Sequence, residues 1–526
     1  MYKKYFNASK ASYFSSLFLL TLSVLSTILA SVLLSNILNT IIAKDYTKLI
    51  IYLCIEIVIW LIMLISNYGS EIFQEKTIRN INIKIKDDIT NYIANLSDEE
   101  YNSKSTDNYG ALYVNDAELV ENNIFKCHFK LITSYEMVIF SFIALFSFSY
   151  IIALFSILFF LLMYYVPKLF EKQSKDNAEL LSSSKSKYLK ELNNQLNGYN
   201  VYSTYNLLSR FRVNINLYSR NLENDKYHYF KNLSFINLFL GLINVVSQLG
   251  NIIVCAVLSI MGAISTGVIL SVGNLSGIFY NSLLSISNLK VLIQSNEEIL
   301  NKLSYERTRL QRKDKCPDIN TIRINDLDFS YANKQIFDSA NFLFERAKKY
   351  LLVGANGTGK STLLKILACK LSKYKGKYLI DEVDVRNIDL GSIKEKICYI
   401  EQNPYLFNDT VLYNITLGRE IESERLDEII KQCQLEEFIN EKGLDYIIGE
   451  NATNISGGQK QKIALARAFV RNCNFILFDE ASANLDKKSH EEINKILLSN
   501  KELTVIMVDH QMKEQDYSSF DKVYRL

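Results

Sequence analysis

The stretch LLVGANGTGKSTLLKIL, residues 351–367, joins a short apolar run to a glycine-rich segment and an amphipathic continuation. Residues 354–362 within it fit the pattern GxxxxGK[ST], which indicates a phosphate-binding loop between a strand and a helix. Glycines let successive backbone N–H groups point at phosphate oxygens, and the helix N-terminus adds a favourable dipole. The alternative is a chance glycine-rich turn, but the order strand, loop, Lys-Ser and helix argues against it. The pattern therefore predicts a nucleotide-binding site.

Two side chains of this segment have specific predicted roles. Lys360 reaches the β- and γ-phosphates of the nucleotide, and the Ser361 hydroxyl binds Mg²⁺. The predicted nucleotide-binding residues of the segment are Gly354, Ala355, Asn356, Gly357, Thr358, Gly359, Lys360, Ser361 and Thr362.

A second part of the site is the sequence FILFDE, residues 475–480, in which four apolar residues precede two acidic ones. This pattern predicts a buried strand that ends in carboxylates. We expect Asp479 to hold the Mg²⁺ shell and Glu480 to polarise the attacking water. An acidic strand end alone is usually a solvated turn, but the phosphate loop upstream favours the catalytic interpretation.

Between these two elements lies NISGGQ, residues 454–459, which resembles the LSGGQ signature of the ABC ATPase family with Ile455 at its first position. A Ser-Gly start also predicts a helix N-cap. The resemblance implies that this helix N-terminus binds the γ-phosphate of a nucleotide held by a second subunit. The implied binding residues are Ser456, Gly457, Gly458 and Gln459.

Four further residues match the family's pattern in order along the chain. The resemblance implies that Tyr331 stacks on adenine and that Gln402 senses Mg²⁺ and faces the membrane domain. It implies that Asp486 ends a loop crossing to the partner subunit and that His510 contacts the γ-phosphate. A lone Tyr or His is more often structural, so the weight rests on the full set and its order.

Apolar runs crowd the first 290 residues and predict six membrane-spanning helices, since about 20 apolar residues cross a hydrocarbon core. Lys3, Lys4 and Lys10 precede the first span and place the N-terminus in the cytoplasm. The long polar connections, roughly 70–130 and 169–232, then lie on the same side and show helical apolar spacing. The predicted spans start near Tyr13 and Leu49, run as a pair through residues 131–168, cover 234–262 and start again at Gly267.

These patterns predict a multi-domain membrane protein. Residues 1–304 form an all-α six-helix transmembrane domain with long cytoplasmic helical extensions, and residues 305–319 form a charged linker containing Pro317. Short apolar strands then alternate with amphipathic helices in residues 320–526, which is typical of an α/β P-loop domain with a parallel sheet. The resemblance identifies this domain as an ABC-type ATPase.

Six spans followed by this ATPase resemble a half-size ABC exporter. The resemblance implies an ATP-driven exporter in the lipid bilayer, with ATP and Mg²⁺ as cofactors and an amphipathic substrate (peptide, drug or lipid) moved outward. It also implies a dimer, because the phosphate loop and signature of one chain cannot close on each other. A homodimer is favoured since Lys360, Ser456, Glu480 and His510 are all present, and a related half-transporter is the other option.

Two other functions compete with export. An ATP-gated membrane channel or regulator would change state without vectorial pumping, but Glu480 argues for efficient hydrolysis. A soluble ABC-type ATPase with a buried apolar half conflicts with the long apolar runs. The expected location is a bacterial plasma membrane, with the N-terminus and the ATPase domain in the cytoplasm.

Composition excludes several other classes. The net charge is +3, with 59 Lys and Arg against 56 Asp and Glu, so no nucleic-acid partner is expected. The eight cysteines are scattered singly and are expected to be reduced thiols. The four histidines are too dispersed to predict a metal cluster.

The substrate path is the least defined feature. Glu56 and Glu136 lie inside predicted spans, where a carboxylate usually faces a cavity or a partner. Short helices near 107–116 and 200–211 are expected to contact the ATPase domain. The first span begins near residue 13, so no leader-peptide protease domain is expected before it. The sixth span carries polar residues that would line a path, namely Asn274, Ser276, Asn281 and Ser282.

Overall fold

The structure, a computed structural model, describes residues 3–104, 106–303, 314–331, 334–479, 487–509, 512 and 514–526. The chain divides into two units, each with its own core. The first comprises Met1–Ala94 and Thr106–Glu306, and the second comprises Asn95–Ser105 and Arg307–Leu526. The described part of the first unit is helical, and all described strands belong to the second. The predicted fold class is therefore confirmed.

The helices up to residue 303 include three of more than 35 residues, as expected for spans that continue beyond a hydrocarbon core. Short 3₁₀ and π-helical turns occur at Asn7–Ser9, Leu112–Asp116 and Glu121–Phe125. The helices are α1 Lys3–Phe6, α2 Lys10–Ile42, α3 Tyr46–Ala94, α4 Asp98–Asn102, α5 Thr106–Ala111, α6 Ala117–Val120, α7 Lys126–Phe148, α8 Tyr150–Leu169, α9 Glu171–Asn197, α10 Tyr199–Thr204, α11 Leu208–Ile260 and α12 Val268–Leu303.

In the described part of the chain, five helical segments are long and apolar enough to cross a membrane: Asn7–Ile42, Tyr46–Ala94, Asn108–Phe148, Leu208–Ile260 and Val268–Asn301. They correspond to five of the six predicted spans. The remaining span, fourth in order, is also helical, but its apolar part, Tyr150–Met163, is shorter. The boundary between the third and fourth spans lies at Ser149, whose extended backbone ends α7.

Helices α2 and α3 pack through small residues. Ser16, Ser66 and Ser70 are buried, and the Ser70 hydroxyl donates a 3.0 Å hydrogen bond to the Ser16 carbonyl oxygen. A Cβ on Gly69 would lie 2.9 Å from Leu19 Cδ1, so glycine permits this close approach. Membrane helices associate through such small-residue contacts because lipid offers no hydrophobic gain for burying larger apolar groups.

A buried amide joins three of the membrane helices. Asn251 on α11 is fully buried and its Nδ2 donates to Ser156 Oγ on α8 at 2.9 Å and to Ser276 Oγ on α12 at 3.0 Å. It also lies 3.4 Å from the Tyr280 hydroxyl of α12. Polar groups in a membrane interior need internal partners, so this amide specifies how α8, α11 and α12 meet.

The second unit contains two sheets. One is antiparallel with the strand order β2-β1-β4-β5, and the other is parallel with the order β6-β7-β8-β3-β9. The elements are β1 Thr321–Tyr331, β2 Lys334–Glu345, β3 Lys349–Val353, α13 Lys360–Leu367, β4 Lys375–Ile380, β5 Val383–Asp384, α14 Leu390–Lys396, β6 Ile397–Ile400, α15 Val411–Thr416, α16 Ser423–Gln432, α17 Glu436–Lys442, α18 Gly457–Val470, β7 Phe475–Asp479, α19 Lys487–Ser499, β8 Thr504–Val508 and β9 Lys522–Arg525.

The parallel sheet brings the carboxyl ends of its central strands to one edge. Every residue of β7 and of β8 is buried, which explains why these strands are continuous apolar runs. The register pairs Asp479 at the end of β7 with Val508 of β8, and Val508 with Leu352 of β3. The phosphate loop after β3 and the carboxylate ending β7 therefore lie at the same edge, where ligands bind in open α/β sheets.

The short helix α4 belongs to the second unit by its contacts. Ser97 and Glu100 form a capping box at its start. Asp98 forms a 3.0 Å ion pair with Lys394 on α14, and Glu99 forms a 2.7 Å ion pair with Lys373. The short helix expected near 107–116 is present as α5, and its contact with the ATPase domain stays a prediction. The other expected short helix is present as α10.

We predict that Asn251→Leu lowers the free energy of unfolding of the membrane unit by about 1 kcal/mol, because each hydrogen bond between membrane helices contributes roughly this much. Leucine fills a similar volume, so the change reports the lost hydrogen bonds. SDS unfolding titrations of the full chain measure this change. The control is Asn36→Leu on the exposed side of α2, which should leave the midpoint unchanged. Equal midpoints for all three proteins would contradict a stabilising role for the Asn251 amide.

Candidate nucleotide-binding site

The loop between β3 and α13 has a conformation that requires glycine. Gly359, which immediately precedes α13, has a φ of 103°, a left-handed value that favours glycine. A Cβ at this position would lie 2.5 Å from Ile336 Cγ2 and 2.8 Å from Phe337 Cζ. The loop thus packs against β2 without a side chain and leads directly into the N-terminus of α13. Its backbone geometry fits the predicted phosphate cradle.

Lys360 is held at the centre of this loop. Its side chain is buried, and its Nζ donates to the Gly354 carbonyl oxygen at 2.9 Å and to the Ala355 carbonyl oxygen at 2.8 Å. Four apolar residues of α13 are fully buried and fix the helix against the sheet: Leu363, Leu364, Ile366 and Leu367. An ammonium group so placed, beside a helix N-terminus, provides positive charge for a phosphate bound in the loop.

The carboxylate of Asp479 connects three elements. Its Oδ1 accepts a 2.8 Å hydrogen bond from the Ser361 hydroxyl on α13, and its Oδ2 accepts a 2.6 Å hydrogen bond from the Tyr399 hydroxyl on β6. Ser361 and Asp479 are the two side chains expected at Mg²⁺, and their role there stays a prediction. Tyr399 was not predicted as a site residue. Burial and the neighbouring Asp479 carboxylate raise the pKa of Tyr399, so it acts as a hydrogen-bond donor at neutral pH.

The donor atoms at this point suit Mg²⁺. The Ser361 hydroxyl and the Asp479 carboxylate are hard oxygen ligands, and Mg²⁺ typically takes only one or two carboxylates together with phosphates and waters. Among the described residues, no cluster of three or more His, Cys, Asp or Glu side chains could hold a metal by itself. A metal here would therefore need oxygens of the nucleotide to complete its shell.

The predicted metal-binding residue Gln402 lies in the segment that follows β6. Its side chain is exposed, and its carbonyl oxygen accepts a 2.7 Å hydrogen bond from Gln461 Nε2 on α18. The same Gln461 amide donates to the Glu401 carbonyl oxygen at 3.2 Å. These bonds fix the backbone of the segment to α18, and the role of the Gln402 side chain at Mg²⁺ stays a prediction.

The signature segment forms a capped helix N-terminus. Ser456 is exposed and begins α18, accepting a 3.2 Å hydrogen bond at Oγ from the Gln459 backbone N–H. The Gln459 side chain in turn accepts a 2.8 Å hydrogen bond from the Ser456 backbone N–H. Gly457 and Gly458 occupy the first turn, where they add no side chain beyond Cα. This exposed helix end can receive an anion from outside the chain.

The remaining predicted site residues are Tyr331, Glu480, Asp486 and His510. Tyr331 ends β1 and is 46% exposed, with its ring edge-on to Phe329, so a flat ligand has access to it. Glu480, Asp486 and His510 lie outside the described residues, and their roles stay predictions.

The structure also contains a histidine–carboxylate pair that the sequence analysis did not predict. His490 on α19 and Asp509, which directly follows β8, are joined by a 2.7 Å contact between Nε2 and Oδ2. The four histidines are dispersed along the chain, and no local pattern indicates that this one meets a strand end. The contact fixes α19 to the edge of the sheet where Asp479 lies. The hydrogen bond to the Asp509 carboxylate raises the pKa of His490.

Comparisons with known proteins cover both halves of the chain. The family model described as ABC transporter transmembrane region matches residues 13–283, and the model described as ABC transporter matches residues 337–483. The chain is similar to the multidrug resistance-like ATP-binding protein MdlB of Buchnera aphidicola subsp. Schizaphis graminum, with 24% identity over 94% of this chain and 87% of that protein.

Two further likenesses are informative. The ATP-dependent lipid A-core flippase of Francisella tularensis subsp. tularensis is 29% identical over 238 residues, which are 43% of this chain and 39% of that protein. The solved structure of a bacterial Atm1-family ABC exporter with ATP bound matches the fold with a TM-score of 0.85 at 17% identity, covering 98% of this chain and 93% of that one.

We predict that Tyr399→Phe raises the Mg²⁺ concentration for half-maximal ATP hydrolysis about tenfold, because partners that orient a metal-binding carboxylate typically contribute at least that much to affinity. ATPase assays of the full chain over a Mg²⁺ series measure the shift. The exposed Tyr405 provides the matched control Tyr405→Phe, which should behave as the unmodified chain. An unchanged Mg²⁺ dependence in Tyr399→Phe would contradict the orienting role.

The His490–Asp509 contact predicts a pH-dependent stability. Because the folded-state pKa of His490 is raised above its ordinary value, its contribution is fully present below about pH 6.5 and is lost as pH rises through the raised pKa. The stability difference between the unmodified chain and His490→Gln should therefore be largest at low pH.

Thermal unfolding of the full chain in nanodiscs, measured from about pH 6 to 8.5, tests this dependence on the His490 pKa. Asp509→Asn should remove the same pH-dependent component. A difference between the unmodified chain and His490→Gln that does not vary with pH would show that the pair stabilises the fold without its charge.

Proposed function

Because the chain belongs to the ABC transporter family and has the half-size architecture of one membrane region followed by one ATPase region, we propose that it is an ATP-driven exporter that works as a dimer. It is a nucleotide-binding transport ATPase and an integral membrane protein. The proposed substrate is amphipathic (a peptide, drug or lipid) and is moved outward across a bacterial plasma membrane. The N-terminus and the ATPase region lie in the cytoplasm, as the basic residues before the first span favour.

One observation carries the proposal that the chain works as a dimer. The phosphate loop, Ser361 and Asp479 are connected at one edge of the parallel sheet, whereas the hydrogen bonds of Ser456 and Gln459 stay within their own helix N-terminus. The signature is thus a capped, exposed anion site without a phosphate loop of its own. In a pair of identical chains, the phosphate loop of each chain would face the signature segment of the other, which supports a homodimer. A related half-transporter could supply the same two half-sites.

The residues have the following proposed roles. Lys360 binds the β- and γ-phosphates, Tyr331 stacks on adenine, and Glu480 polarises the attacking water. Ser361 and Asp479 hold Mg²⁺, which neutralises phosphate charge when bound, and Gln402 reports its presence. His510 contacts the γ-phosphate, and Asp486 crosses to the partner. Ser456, Gly457, Gly458 and Gln459 of the second chain complete the site.

Binding of two ATP molecules between two such chains would draw the ATPase regions together, and hydrolysis would release them. The α4 segment is the proposed route to the membrane helices, because it follows α3 directly and is bound to Lys394 and Lys373 within the second unit. The proposed boundaries place the transmembrane domain at 1–304, the linker at 305–319 and the ATPase at 320–526. The end of α12 at Leu303 and the start of β1 at Thr321 support them.

Export is favoured over gating for two reasons. The relatives include a multidrug resistance-like ATP-binding protein and an ATP-dependent lipid A-core flippase, and the second name describes movement of a lipid. Glu480 stands at the position of the catalytic carboxylate, which a regulator that only binds nucleotide does not need.

A mixed-dimer experiment tests the shared site. Lys360→Ala and Ser456→Arg should each reduce ATP hydrolysis at least ~100-fold, because each removes charge or donor groups that stabilise the transferring phosphoryl. When both variants are co-expressed with different tags and purified in tandem, the mixed dimer keeps one intact pair of half-sites. We expect ATPase activity to return in the mixed dimer.

Purified homodimers of each variant, mixed without exchange, are the control and should stay inactive. Failure of co-expressed variants to regain activity, although the tandem purification yields dimers, would contradict a site completed by a second copy.

Transport in inside-out vesicles tests the direction. With ATP added outside, the unmodified chain should accumulate at least one of three probes: a capped neutral peptide, a fluorescent phospholipid or a cationic dye. Glu480→Gln should lower hydrolysis at least ~100-fold and trap bound ATP, since it removes a general base. Hydrolysis without accumulation of any probe would refute export, and undiminished turnover in Glu480→Gln would refute its catalytic role.

A further inference from the structure

A groove lies along α12 on the side that faces α7. Its volume is about 500 Å³, which is within the range of small-molecule sites. We call it the α12 groove. Its lining residues are Met137, Gly273, Asn274, Gly277, Ile278, Asn281, Ser282 and Ser285.

The lining of the α12 groove is polar but carries no ionisable side chain among the described residues. Two amides are its main hydrogen-bonding groups, and each is held on one side only. Asn281 Oδ1 accepts from Asn244 Nδ2 on α11 at 2.8 Å, and Asn274 Oδ1 lies 3.2 Å from Ser31 Oγ on α2. Since an amide carries both donors and an acceptor, each side chain is oriented by a neighbour and retains capacity for a bound molecule.

Asn274 and Asn281 join α12 to α2 and α11 through one side-chain oxygen each, whereas other polar residues of α12 are wholly buried in helix packing. Asn274, Asn281 and Ser285 recur at helical spacing and lie on one face over about 16 Å, at 1.5 Å per residue. Ser276 and Tyr280, by contrast, are fully buried, and their hydroxyl oxygens lie within hydrogen-bond distance of Asn251 Nδ2. Helix packing therefore accounts for Ser276 and Tyr280, whereas Asn274, Asn281 and Ser285 are available to a ligand.

The chemistry of the groove selects one kind of ligand. A charged group would lose its hydration without gaining a countercharge, which is costly in a membrane interior. An uncharged group with carbonyl and N–H functions would replace its water hydrogen bonds with bonds to the amides. At about 3.3 Å per residue, an extended peptide of about five residues matches the length of the face.

We propose that the α12 groove binds an uncharged peptide segment of the substrate through Asn274 and Asn281. This inference rests on the proposed function, because it assigns a substrate class to the exporter. The groove recognises peptide N–H and C=O groups, and Met137 and Ile278 contact apolar side chains.

Equilibrium dialysis of the full chain in nanodiscs, without nucleotide, tests the proposal. The probe is radiolabelled acetyl-Ser-Leu-Ser-Leu-Ser-amide, and the comparison peptide carries Lys at the central serine. We expect saturable binding of the neutral peptide, at least ~10-fold tighter than that of the lysine peptide, since the lysine ammonium loses hydration in the groove without gaining a countercharge.

The decisive variant is Asn281→Asp, which has the same shape and keeps an acceptor for Asn244 Nδ2. This variant should bind the neutral peptide about tenfold more weakly and the lysine peptide about tenfold more tightly, because it places a negative charge in the groove. Asn274→Asp repeats the test at the other amide. The control is Asn36→Asp on the exposed side of α2, which should change neither affinity.

Absence of saturable peptide binding, equal affinity for both peptides, or an unchanged preference in both aspartate variants would overturn the proposal. ATP-driven accumulation in vesicles is scored separately. Accumulation that is insensitive to both aspartate variants overturns the peptide site and leaves export intact. Saturable, Asn281-dependent binding without ATP-driven accumulation supports the site and refutes export.

Discussion

The Asp479 carboxylate accepts hydrogen bonds from Ser361 and Tyr399, and the geometry of the candidate nucleotide-binding site depends on these two bonds. The two bonds connect the end of β7 to the start of α13 and to β6, so the predicted phosphate loop and the neighbouring strand share one carboxyl group. This is possible only because parallel strands end at the same edge and β7 lies between β6 and β8. The apolar sequences of β7 and β8 follow from the same constraint, since both strands are buried on both faces.

Local sequence was sufficient to predict the glycine-dependent loop between β3 and α13, because the pattern lies within nine consecutive residues; phosphate binding by this loop stays a prediction. Gly359 and Lys360 have the conformations that the pattern requires. The partners Tyr399, His490 and Asp509 could not be found in this way, since each depends on which strands and helices are neighbours in space. The short helix α4 is an intermediate case: its capping box, Ser97 to Glu100, is a local signal that was present in the sequence and not used.

In the membrane unit, hydropathy predicted the helices but not their packing. Apolar composition locates a span, whereas the contacts between spans depend on a few small and polar residues such as Gly69, Ser70 and Asn251. The polar residues predicted in the last span divide into two groups for this reason. Ser276 is used to pack α12, while Asn274, Asn281 and Ser282 line the groove. Sequence spacing alone could not separate these roles, because polar residues occur on more than one face of α12.

The ion pairs at α4 have a consequence for how firmly that helix is held. Lys373 and Lys394 keep 81% and 43% of their side-chain surface exposed while paired with Glu99 and Asp98. Exposed pairs of this kind are worth about 0–1 kcal/mol each and weaken as salt rises, since the Debye length is about 8 Å at physiological ionic strength. The attachment is therefore reversible, because several weak bonds set the position of α4 and water can replace any one of them.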